Sequence, residues 1–208
     1  MFELFYIPEV ILSIGVLLII IIDLYLQKHK HISFFLIQLL LIIASLYAVT
    51  EVPQQNYSSY EFSEFTSLIK FLLILGAIII FQYTYQHLNY LNNLKIEYFT
   101  ISVLGLVGTM VMISAYSLLM LYLGIELLSL ALYALIGFNK YSGLSSEAAI
   151  KYYILGAMSS GILLFGISLI YGFTGSINYF EIADQIRIIN SNSVQFLGII
   201  FGIIFITA

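Results

Sequence analysis

The strongest constraint in the chain is a series of long apolar runs almost free of charge. A bilayer core of about 30 Å needs roughly 20 apolar residues of helix. Six such runs predict spans near 5–26, 32–50, 66–86, 98–115, 117–138 and 147–172. A seventh, VQFLGIIFGIIFITA, starts near 195 and reaches Ala208. Its roughly 14 helical residues span about 21 Å at 1.5 Å each, less than a full crossing. The 208 residues are 62% hydrophobic and 9% charged. A soluble globule of this size cannot hide so much apolar surface. The fold class expected is therefore all-α, a polytopic transmembrane helix bundle.

Polar connections separate the runs. QKHKH (27–31) is a basic turn, TEVPQQNYSSYEFSEF (50–65) a loop around Pro53, and HLNYLNNLK (87–95) an Asn-rich link. Ser114–Ser117 reads as a short polar hinge. In NKYSGLSSE (139–147), Gly143 reads as a breaker and Ser145 or Ser146 as the N-cap of the sixth helix. Segment 172–193 is long and mixed, with room for a short amphipathic helix. Lys28, Lys30, Lys95 and Lys140 fall after the first, third and fifth spans, whereas the opposite loops hold Arg187 with Glu51, Glu61, Glu64, Glu181 and Asp184. The positive-inside rule then places the N-terminus outside. Lys70, a turn inside the third span, reads as a residue that snorkels to that outer side.

Several function classes are excluded. Without cysteine there are no disulfides, iron–sulfur clusters or thiolate metal sites. His29, His31 and His87 fall at predicted helix ends, which argues against a buried haem ligand pair. The net charge of −4 offers no basic face to nucleic acid. The start, MFELFYIPEV, has no basic or Arg-rich presequence. No phosphate loop, Ser/His/Asp arrangement or metal-spaced histidine set occurs, so any redox role belongs to partners and no cofactor is expected in this chain.

The charges at span ends, Glu9, Asp23 and Glu97, read as interface anchors. Glu126 lies near the middle of the fifth span. A carboxyl group there costs at least a few kcal/mol unless it is protonated, paired or hydrated. Tyr122, Ser129 and Tyr133 share its helix face and add hydroxyls, as a hydrated proton path requires. A neutral Glu hydrogen-bonded for packing is the alternative. Lys151, about one turn into the sixth helix, is either a second station on the same path or a lysine snorkelling at the inner interface. The two lie about 10 Å apart along the membrane normal, too far for a direct pair. Gly105 and Gly108 on the fourth helix, and Gly156, Ala157, Ser160, Gly161 and Gly166 on the sixth, read as close-packing positions.

The run LYLGIELLSLALYALIGFNKYSGLSSEAAIKYYILGAMSSGILLFGISLIYGFTGS (121–176) resembles subunit 2 of NADH:ubiquinone oxidoreductase, respiratory complex I, a relative of cation/proton antiporter subunits. GIELLSL, SSEAAIKYYILGAMSS and LLFGISLIYGFTGS carry the likeness, which extends over about 97–205. IPEV (7–10) and IIDL (21–24) fit the longer form of that subunit. The resemblance implies a fourteen-helix fold with two inverted five-helix repeats. Residues 1–96 would be its three N-terminal helices, and 97–208 an incomplete first repeat. Glu126 takes the place of the motif Glu and Lys151 that of the lysine beginning the next helix. The Glu is implied to pair with a lysine on the seventh helix, and later lysines to continue a polar axis that electron transfer elsewhere drives.

Those later lysines fall beyond Ala208. The expectation is a split subunit completed by a separate C-terminal chain; the alternative is a degenerate subunit kept for assembly. Expected partners are the antiporter-like subunit 4, the small proximal-arm subunits and membrane lipids, in the mitochondrial inner membrane. Two rival functions stand beside proton translocation: a membrane-arm scaffold with no proton path, and a fragment of a cation/proton antiporter.

Overall fold

The computed structural model describes residues 8–25, 30–50, 60, 63–91, 95–189 and 194–207. They form eight helices: α1 (Pro8–Tyr25), α2 (Lys30–Thr50), α3 (Glu64–Tyr90), α4 (Ile96–Ile113), α5 (Leu118–Ile136), α6 (Gly143–Thr174), α7 (Tyr179–Ile188) and α8 (Val194–Thr207). The first six are long and apolar enough to cross a membrane, and α8 is a shorter apolar helix. Each expected span is matched by one of these helices. The short helix expected within 172–193 is α7, whose polar face carries Glu181, Asp184 and Arg187.

Local chemistry sets the ends. Pro8 opens α1, where its missing N–H costs nothing. Ser63 caps α3 in a reciprocal capping box with Thr66. Ser117 caps α5 by accepting from the Met120 N–H at 3.2 Å. Helix α6 starts earlier than expected. Ser142, not Ser145 or Ser146, accepts the capping bond from the Ser145 N–H, and Gly143 is the first helical residue rather than a breaker. Ser145 instead donates its hydroxyl to the Ile136 carbonyl at 2.5 Å, tying the start of α6 to the end of α5. Gly175, at φ 74°, ends α6 in the left-handed region that glycine tolerates.

Helix α1 packs on α2 and α4, α2 on α3, α4 on α5, α5 on α6, and α6 on α8. The main core lies among α1–α4, around Leu12, Ile37, Leu41, Ile74, Phe99 and Val103. A smaller cluster of Leu118, Ile167, Ile170 and Ile182 joins α5, α6 and α7. Glycines permit the tightest crossings. A Cβ at Gly108 would lie 2.6 Å from the Leu128 backbone nitrogen, and one at Gly166 2.7 Å from the Gly202 carbonyl oxygen. Gly161, read as a packing position, has no neighbouring atom within 4 Å of such a Cβ. Between α3, α4 and α5 an apolar cleft of about 380 Å³ opens beside Gly76, Gly105 and Ala131.

The bundle has two polar ends. The near end holds the start of α1, the α4–α5 turn and α7. The far end joins α1 to α2, where Ser33 donates to Asp23 at 2.6 Å. Asp23 is thus partly buried and bonded, more than the interface anchor that its place in the sequence suggests. His31 and Tyr85 also hydrogen-bond at the far end.

Candidate functional site

Helix α5 carries Glu126 half-buried on the side that faces α6. There the Ser160 hydroxyl donates to Glu126 Oε2 at 2.6 Å. This bond crosses between helices and gives the midspan carboxyl a polar partner in a region without bulk water. In sequence Ser160 presents only as a small packing residue. Its hydroxyl inside a run of small side chains was the available signal, but spacing along one helix does not reveal a partner on the next.

The other hydroxyls on this face of α5 divide their roles. Ser129 donates to the Ile125 carbonyl of its own helix at 2.8 Å. That leaves its oxygen able to accept another bond. Tyr133 packs its hydroxyl end where a Cβ at Gly156 would stand, and its ring meets Tyr152 and Tyr153 edge-on at 5.5 and 5.7 Å. Gly156 therefore makes room for a phenol rather than for a helix backbone. Tyr122 packs against the Leu118–Ile167–Ile170–Ile182 cluster, closing the site toward the near end. The α5–α6 seam thus gathers a carboxyl group and several hydroxyls in an apolar wall, an arrangement that can hold and pass a proton if water enters.

Lys151 stands apart. It pairs with Glu147 one turn earlier on α6 at 2.5 Å, and both side chains are more than half exposed. Nine residues of α6 separate it from Ser160, roughly 13 Å of helix. The structure brings Glu126 to Ser160 and keeps Lys151 toward the far end. Among the described residues no group of three or more His, Cys, Asp or Glu could hold a metal ion.

A second polar cluster lies at the near end. Glu9 and Lys70 form an ion pair at 2.6 Å with both side chains 5% exposed. Neither the interface anchor read for Glu9 nor the snorkelling read for Lys70 describes this geometry, because each charge neutralises the other inside the bundle. The Lys70 ammonium lies 3.5 Å from the Tyr60 hydroxyl and 5.0 Å from the ring centroid. Burial, then the charge of Glu9 and hydrogen bonding to it, push the Tyr60 hydroxyl well above the usual phenol range, with Ser114 offsetting part of this. Tyr60 is bridged through its backbone to Ala115 in the α4–α5 turn.

Comparisons with known proteins agree with this architecture. The profile of a family described as NADH:quinone oxidoreductase/Mrp antiporter, transmembrane, matches residues 114–208. The chain is 38% identical over 204 residues to NADH-quinone oxidoreductase subunit N of Ruthia magnifica, covering 96% of this chain and 42% of that protein. It is 37% identical over 205 residues to subunit N of Thioalkalivibrio sulfidiphilus, with the same two coverages. Two solved structures share the fold. A chain of the membrane-bound sulfane sulfur reductase, an archaeal respiratory complex, superposes with a TM-score of 0.80 at 19% identity, over 96% of this chain and 42% of that one. A chain of respiratory complex I from Thermus thermophilus with bound aureothin gives 0.65 at 22% identity, over 94% and 42%. The chain thus spans about 42% of the length of the relatives it matches. Its described residues form an all-helical domain with six helices long and apolar enough to cross a membrane, and residues 114–208 match the antiporter-type family.

Proposed function

We infer that this chain belongs with the antiporter-like membrane subunits of NADH:quinone oxidoreductase, of the subunit N type, and that it contributes to proton translocation driven by electron transfer in partner subunits. The identity to subunit N along nearly the whole chain supports the family. The observation that carries the mechanism is the midspan carboxyl of Glu126 held by Ser160 across the α5–α6 seam.

In this reading Glu126 takes up and releases the proton. Ser160 orients its carboxyl group, because a hydroxyl can donate to the carboxylate and accept from the acid. Tyr122, Ser129 and Tyr133 line the approach and hold water. Lys151 with Glu147 forms the station at the far end, about 13 Å along α6 from the Ser160 contact. Residues 1–96 act as the three-helix N-terminal part and 97–208 as part of the first antiporter-like repeat. The remaining helices, with a cation facing Glu126, come from the rest of the subunit, whether in this polypeptide or in another. Other membrane-arm subunits are the partners, and the respiratory membrane is the site. The relatives named above are bacterial or archaeal, so the mitochondrial inner membrane is an expectation of the sequence resemblance alone.

The test is coupled turnover of the assembled complex in sealed membranes. Glu126→Gln, which keeps shape and loses the titratable proton, lowers NADH-driven turnover at least about tenfold, a floor below the roughly 10²–10⁴-fold that positioned acid–base groups contribute. Glu126→Asp retains most of it. Wild-type turnover in the Gln variant favours the scaffold reading instead.

A further inference from the structure

The mechanism above does not use the near-end cluster, although it is the most deeply buried charged group among the described residues. We propose that Glu9, Lys70 and Tyr60 are positioning residues: a charge-neutral lock that sets the height of the α4–α5 turn and thereby the register of Glu126 against Ser160.

Stability alone does not account for such a pair. Two charges removed from solvent cost so much that apolar residues of similar size commonly serve as well or better; what a buried pair supplies best is registry. The contact is made at 2.6 Å between α1 and α3, so a slip of one residue, 1.5 Å of rise, breaks it. Tyr60 passes this constraint on. Its hydroxyl and ring both meet the Lys70 ammonium, and its backbone bridges Ala115. Ala115 lies between Ser114, the fully buried C-cap of α4, and Ser117, the buried N-cap of α5. The other side of the same turn is pinned to the segment before α7. The Leu118 N–H donates to the Ile177 carbonyl at 3.0 Å, and Ser117 bridges Asn178. Helix α5 therefore hangs from a turn clamped on both sides. Glu126 is nine residues below Ser117, about 13 Å along a rigid helix. A shift of the turn along the axis moves the carboxyl by the same amount, enough to lose a 2.6 Å bond to Ser160.

The proposal rests on the reading of Glu126 as the proton-carrying group, and its test separates the two. In the assembled complex, the rate at which an apolar carbodiimide modifies Glu126 is measured by peptide mass spectrometry, beside the amount of chain in the membrane. The apolar double variant Glu9→Met/Lys70→Met is expected at an amount within about twofold of wild type, since the pair is replaced rather than broken. Its Glu126 modification rate is expected to change at least about threefold, within the range that residues along a coupling path can shift. The reversed pair Glu9→Lys/Lys70→Glu brings the rate back toward wild type. Tyr60→Phe keeps the pair and the ring and moves the rate in the same direction by about twofold. A purely structural role would leave Glu126 reactivity unchanged. Wild-type modification rates in the double variant, or in Tyr60→Phe where the double variant fails to accumulate, overturn the lock. Normal proton pumping by Glu126→Gln would instead remove the pump reading and leave the labelling result standing.

Discussion

At the residue scale the chain contains two kinds of polar group in an apolar bundle, and they demand different solutions. Glu126 is partnered by a neutral hydroxyl, that of Ser160. Glu9 is partnered by a full opposite charge, the ammonium of Lys70 at 2.6 Å. Removing one member of that pair strands the other charge, so Lys70→Met alone is expected to cost about 3–5 kcal/mol, read as a lower midpoint of unfolding in detergent. Tyr60 supplies a pH test. Its phenol is raised above the usual value by burial and by Glu9, so the folded state favours the neutral form. The stability this contributes is complete below the ordinary phenol pKa of about 10 and declines as pH rises beyond it. The alkaline difference spectrum between wild type and Tyr60→Phe therefore gains no phenolate absorbance until the protein unfolds. A Tyr60 that titrates with exposed residues such as Tyr141 contradicts the buried cluster.

At the scale of elements, most of the spans were legible because length and apolarity alone decide them. The start of α6 was not. Gly143 looks like a breaker in sequence, yet Ser142 supplies the cap and Ser145 ties back to Ile136, so glycine is carried into the first turn. The Glu9–Lys70 pair was not legible either. Its members lie on non-adjacent spans, and each by itself matches the ordinary pattern of a charge near a helix end. Ser160 was hidden in the same way by its small neighbours. Glycines were legible as a class but not one by one. Gly108 meets the backbone of α5, whereas Gly76 faces the cleft with no atom within 4 Å of an added Cβ. The same substitution should thus have opposite signs. Gly108→Ala overpacks the α4–α5 crossing and costs about 1–3 kcal/mol. Gly76→Ala removes the entropy penalty of a mid-helix glycine and gains about 0.5–1 kcal/mol. Thermal unfolding of the two variants in one detergent checks both.

At the scale of the whole molecule, six crossing helices make a multi-pass membrane protein. The lysine distribution predicts its orientation, with the near end outside and the α5–α6 turn inside. The absence of native cysteine makes this directly testable. A single cysteine at Tyr141, 97% exposed in that turn, should react with an impermeant maleimide only from the inner side, and one at Ile188 of α7, 78% exposed, only from the outer side. The reverse pattern inverts the topology and with it the direction of the proton path. Much of α6 presents large apolar side chains outward, including Ile154, Leu155 and Met158. The relatives are more than twice as long as this chain. All of this converges on one carboxyl group at the α5–α6 seam. The decisive measurement is the number of protons moved per NADH oxidised by sealed vesicles carrying the complex with Glu126→Gln. A ratio below that of wild type, restored by Glu126→Asp, is the result predicted here; an unchanged ratio in the Gln variant would contradict it.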